Sequence, residues 1–115
     1  MGLLDISVAV GESGPVLTLA GEADLTTAVE LSGALTAQLA SGARHLVVDI
    51  AALRFADSAS LRALALTAQA LRERGGDMVL LRPQPAVARV LTLLGLDQMI
   101  SMRLDAGTQA KPETT

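Results

Sequence analysis

Residues 45–61 read HLVVDIAALRFADSASL. The run His45-Leu46-Val47-Val48-Asp49-Ile50 is short, continuous and apolar, the pattern of a strand covered on both faces in a parallel sheet. Downstream, Leu61, Leu64, Ala65, Ala68 and Leu71 recur at helical spacing, so a helix follows the strand. Gly75-Gly76 stops that helix, and Arg72 and Arg74 complement its dipole near the end. A strand feeding into a helix is half of a parallel crossover unit.

Working outward, Leu4 to Val10 and Val16 to Ala20 flank the turn residues Gly11-Glu12-Ser13-Gly14-Pro15 and read as a hairpin. After Gly21-Glu22-Ala23-Asp24, Leu31, Leu35 and Leu39 share one side of a helix expected from about Leu25 to Ala40, with Thr27 and Glu30 at capping-box spacing. Asp77 to Leu81 is a further strand. Pro83 and Pro85 suit a helix start, and Val87, Val90, Leu91 and Leu94 define an amphipathic helix ending at Gly95. Met99 to Leu104 is the last strand expected. The order β-β-α-β-α-β-α-β predicts an α/β domain, a mostly parallel sheet with one antiparallel edge strand and packed helices. Residues 1–105 are expected to form this domain, and Ala106 to Thr115, small, polar and interrupted by Pro112, is expected to be a flexible tail.

The chain has 115 residues, half of them hydrophobic, which suffices for one core. A net charge of -3 and a single aromatic residue, Phe55, disfavour nucleic acid, since both a basic footprint and stacking platforms are missing. With no cysteine and one histidine, His45, no metal site and no cofactor is expected. No charge-free apolar run approaches the roughly 20 residues that span a bilayer, and the N-terminus lacks a signal-peptide layout, so no membrane insertion and a cytoplasmic location are expected.

In open α/β sheets functional groups gather beyond the carboxyl ends of the parallel strands. Asp24 follows the second strand there, and Asp57 and Ser58 follow the third in a loop at a helix mouth. Arg82, after the fourth, reads as a solvated strand end that could reach the same rim. A hydroxyl at the position of Ser58 commonly caps its helix, and a carboxylate at Asp24 commonly caps a turn. An enzyme would need a base, a nucleophile and a stabilised site for developing charge, and no such set is visible. His45 opens its strand, across the sheet from Ser58.

Phe55-Ala56-Asp57-Ser58-Ala59-Ser60-Leu61 resembles the phospho-switch motif of bacterial anti-sigma factor antagonists, the STAS-domain family, in which D-S-[ST]-G-[LIV] follows an aromatic or aliphatic residue and one other. Gly21-Glu22-Ala23-Asp24 resembles the family's G-E-[LIVA]-D segment. The chain departs from the first pattern at Ala59 and Ser60. The resemblance implies that Ser58 is the phosphorylated residue, with Ser60 as a fallback acceptor, and that Asp24, Asp57, Ser58, Ala59, Ser60 and Leu61 meet a partner. That partner would be an anti-sigma factor with serine kinase activity, whose capture frees a sigma factor for transcription; a serine phosphatase would restore binding. An alternative within the family is a constitutive, unphosphorylated scaffold or accessory subunit of a stress-signalling or lipid-transport complex.

Overall fold

The computed structural model describes residues 3–103. Its central strand, β3 (His45–Ala56), continues well past Ile50, where the apolar run ends. On one side lie β2 (Pro15–Ala23) and then β1 (Leu4–Val10), on the other β4 (Asp77–Leu81) and then β5 (Ser101–Arg103). β1 is antiparallel to β2, and the remaining pairs are parallel. Helices α1 (Ala28–Ala40), α2 (Ser58–Glu73) and α3 (Pro85–Leu93) make the crossovers, with short 3-10 turns at Leu25–Thr27 and Leu96–Gln98. This is the α/β architecture expected from the element order. β5 is shorter than expected, beginning at Ser101 because Leu96–Gln98 takes up the preceding chain; Leu104 and the tail at 106–115 lie outside the described residues.

The expectation that β3 is covered on both faces is corrected. Leu46, Val48 and Ile50 are fully buried, while Val47 and Asp49 are only half-buried and His45 is exposed. The same alternation holds on β2, where Leu17 and Leu19 are buried and Val16 and Thr18 are not. Strand order advances steadily across the sheet, and right-handed crossovers then place α1, α2 and α3 on one face, so that among the described residues the other face carries no helical layer.

The extra length of β3 comes with two irregularities in its pairing to β2, between Thr18 and Ala20 and between Gly21 and Glu22. At each, β3 gains a residue relative to β2, the signature of a bulge. Asp49 holds the first: its Oδ1 accepts the Ala51 N–H at 3.1 Å, and its Oδ2 pairs with the Arg82 guanidinium at 2.7 Å. Because a bulge breaks strict alternation, Ala51 to Ala56 carries no clean strand pattern.

α2 buries the stripe expected of it, Leu61, Leu64, Ala65, Ala68 and Leu71, each such leucine contributing about 2 kcal/mol by area. α3 starts on Pro85 and buries Val87 and Leu91. Leu94 leaves the buried stripe, 43% exposed, because α3 ends at Leu93 and Gly95 turns the chain at φ 74. Arg74 serves a neighbour: its guanidinium donates to the Leu39 carbonyl at the end of α1 at 2.7 Å. Among the described residues no helix is long and apolar enough to cross a membrane.

Candidate functional site

β2 and β3 end side by side, with Ala23 opposite Ala56, and the next peptide joins them: the Asp57 N–H donates to the Ala23 carbonyl at 3.0 Å. Asp24 and Asp57 are therefore neighbouring exits of the two central strands, as their positions in the sequence implied.

Asp24 has extended backbone (φ -140, ψ -170) and caps the 3-10 turn. Its Oδ1 accepts from the Thr26 N–H at 3.0 Å and the Thr26 hydroxyl at 2.6 Å, while its own N–H donates to Thr27 Oγ1 at 2.9 Å. The reciprocal box is thus Asp24 with Thr27; the expected Thr27 and Glu30 pair does not form, because Thr27 is buried facing back toward Asp24 and Glu22. The Thr26 hydroxyl, with help from the Thr26 and Thr27 N–H groups, holds the Asp24 carboxyl below its ordinary value.

Upstream, Gly21 adopts φ 110, and a Cβ there would fall 2.1 Å from the Leu3 carbonyl oxygen. Only glycine admits this approach of β1 to β2, which is closed by the Glu22 N–H donating to that same carbonyl at 2.9 Å.

At the end of β3 the intervening loop shrinks to one residue. Asp57 (φ -79, ψ 171) is the N-cap of α2 and accepts the Ser60 N–H at 2.8 Å. Reading Ser58 as the cap is therefore corrected: it is the first helical residue, exposed, and the capping position is already filled by a carboxylate. Ala59 beside it is also exposed.

Ser60 and Leu61 point the other way. Ser60 is 3% exposed, its Oγ is buried without a hydrogen-bond partner, and Leu61 is fully buried. The helix turn explains this: with Ser58 and Ala59 outward, the next two positions of the amphipathic helix face the core. A kinase could reach the Ser60 hydroxyl only by opening the start of α2, and Leu61 shapes the site from beneath.

Arg82 does not reach the rim, and His45 lies at the far end of β3 as its place in the sequence implied. Arg82 (φ 56) pairs with Asp49, at the register of Leu81 opposite Asp49, well short of the rim, because β3 outruns β4. His45 opens β3 with its Nδ1 2.8 Å from Asp77 Oδ1, on the order of 30 Å along the strand from Ser58. In turn, the rim carries apolar groups that pattern reading overlooked: Leu25 is 81% and Phe55 50% exposed, next to Asp24 and two residues before Asp57. Phe55 as the sole aromatic residue was the available signal. Arg54 and Glu22, 3.7 Å apart and both solvated, form a weak ion pair there.

The STAS domain model matches residues 6–109, nearly the whole described fold. This chain belongs to the STAS-domain family. Its relatives include RsfB of Mycobacterium tuberculosis, an anti-sigma-F factor antagonist 32% identical over 83% of this chain and 77% of its own. BtrV of Bordetella bronchiseptica, named as a candidate anti-sigma factor antagonist, is 34% identical over 70% of this chain and 69% of its own. The crystal structure of an anti-sigma factor antagonist from Mycobacterium paratuberculosis superposes with a TM-score of 0.84 at 28% identity, covering 94% of this STAS chain and 92% of that one.

Proposed function

We propose that this STAS domain is an anti-sigma factor antagonist that binds a serine-kinase anti-sigma factor and is switched off by phosphorylation of Ser58. The observation that carries this reading is the division of labour at the start of α2. Asp57 takes the capping bond, so Ser58 is left exposed with its hydroxyl free of structural duty. Asp24 and the exposed apolar Leu25 and Phe55 border the same rim and supply a surface for a protein partner.

A phosphoryl group on Ser58 adds about -1.5 to -2 charge. The N-terminal turn of α2 tolerates that anion, so the fold persists. Beside the Asp57 carboxylate, however, the added charge and bulk repel a partner that packs against the bare hydroxyl. A serine phosphatase, by hydrolysing the phosphoserine, returns the surface to its binding form. Ser60 is not the acceptor in this scheme, since its hydroxyl is buried.

The test is affinity capture from the native host with wild-type, Ser58→Ala and Ser58→Asp baits, with mass spectrometry of the partners and of phosphate on the wild-type chain. Ser58→Asp should lose a kinase-type anti-sigma factor at least about tenfold while Ser58→Ala retains it, a difference of about 1.4 kcal/mol in binding. Equal capture by all three, with no phosphate on Ser58, would replace the switch with a constitutive scaffold.

A further inference from the structure

We propose that this protein self-associates through the free edge of β1, two copies pairing antiparallel about Ser7 so that their sheets join into one. β1 is an outer strand of the sheet, and its register with β2 is unbroken from Leu4 opposite Gly21 to Val10 opposite Pro15. Exposed edges are ordinarily blunted by lysine, proline, a bulge or an inward-pointing charge. The sequence LDISVAV has no lysine or proline, its one charge is Asp5, and the pairing shows no bulge.

The backbone has the parity such a dimer needs. The Leu3 carbonyl accepts from Glu22 on β2, so the odd-numbered residues of β1 turn their peptide groups inward. Leu4, Ile6, Val8 and Val10 then present N–H and C=O to the open side. Centring the pair on Ser7 sets Ile6 against the other copy's Val8, and Leu4 against its Val10, using the whole strand. All four have peptide groups aimed across the gap.

Side-chain chemistry agrees. Ile6 and Val8 lie opposite Leu19 and Leu17, so the even residues share the face that carries the core. Yet Val8 is 53% and Val10 96% exposed, because no described element covers that end of β1. In the dimer these apolar groups cover one another. On the opposite face Asp5 meets the second copy's Ala9, whereas centring on Asp5 would oppose two carboxylates. Strand order adds a further match. α2 flanks α1 on the β4 side, so the other flank of α1 lies toward β1, and Glu30 is the only charged residue of α1. Apart from Glu30 the exposed face of α1, with Val29, Ser32, Gly33, Thr36, Ala37 and Ala40, is uncharged, so α1 brings little charge toward a second copy. Ser58 lies beyond the ends of β2 and β3 and stays open in the dimer.

Sedimentation equilibrium at rising protein concentration should show a monomer–dimer equilibrium for the wild type. Val8→Pro deletes an edge-facing N–H that β2 does not use, a place where edge strands accept proline. It should abolish the dimer while leaving the circular dichroism spectrum unchanged. Val8→Lys should do the same by charge. Since the chain contains no cysteine, Ser7→Cys gives a second readout. Under mild oxidation it should form a disulfide-linked dimer, because Ser7 would face its copy in a non-hydrogen-bonded pair, the closer of the two antiparallel pairings, with Cα atoms about 4.5 Å apart and within a disulfide's reach. Asp5→Cys alone should not, but mixed with Ala9→Cys it should. A wild type that stays monomeric, a Val8→Pro variant that dimerises as well as the wild type, or Asp5→Cys that cross-links as readily as Ser7→Cys would each overturn the proposal. So would a monomer that uses β1 only to add a strand to another protein.

Discussion

Asp24 and Asp57 do the same mechanical work in different company. Each leaves a central strand, adopts extended backbone and accepts an N–H from the turn that follows. Asp24 is crowded by hydroxyls: Thr26 donates to it, and Thr27 closes the reciprocal bond. Asp57 accepts one backbone bond and is followed by a serine that points outward. The difference teaches that two capping carboxylates of similar geometry can divide roles. One end is a closed knot, and the other secures the helix while leaving a hydroxyl available for chemistry.

The comparison can be broken hardest at Gly21. Gly21→Ala forces a Cβ into the Leu3 carbonyl at a positive φ and should destabilise the protein by about 3 kcal/mol or more, read as a fall in the denaturation midpoint. Amide shifts should concentrate at the Asp24 end rather than in α2. Next in size is Asp57→Ala, which removes the cap of a long helix and should cost about 1 kcal/mol in urea unfolding. Asp57→Asn, keeping an acceptor, should recover most of that loss.

Ser60→Ala should act in the opposite direction. Removing a buried hydroxyl that has no partner should stabilise the fold by up to about 1 kcal/mol, measured the same way. A loss of stability of that size would mean that the hydroxyl is satisfied in solution. Smallest of all is the pH effect. The folded Asp24 carboxyl lies below its ordinary value of 3.8, so its contribution is fully present above that pH and is lost as pH falls through the lower folded value. Asp24→Asn should flatten the acid limb of the stability profile in that window, whereas Asp57→Asn should leave that component of the profile in place.

Much of the fold was legible from short-range pattern. Leu61, Leu64, Ala65, Ala68 and Leu71 announced α2 and its buried face, and the glycines and prolines marked the turns around β4 and α3. The adjacency of Asp24 and Asp57 was legible too, since consecutive parallel strands bring their carboxyl ends to one rim. The capping box was misplaced by one turn, because Thr27 and Glu30 have the spacing while Asp24 and Thr27 have the geometry. Arg82 was assigned a possible place at the rim because its strand ends in the right direction; how far β3 outruns β4 could not be read from either strand alone.

By itself, then, the sequence determined the order of strands and helices, the apolar stripe of α2 and the two acidic turns, because periodicity and turn chemistry act over a few residues. The tertiary structure decided the rest. It set the length of β3, since the bulges that carry Asp49 and Ala51 exist only against β2. It put α1, α2 and α3 on one face of the sheet, since that follows from strand order. It also made Ser58 the outward residue and Ser60 the buried one. Ser60 lies four residues before Leu64 on the stripe of α2, so it is the packing of that stripe on the sheet, and not the local run DSAS, that buries one hydroxyl and leaves the other in solvent.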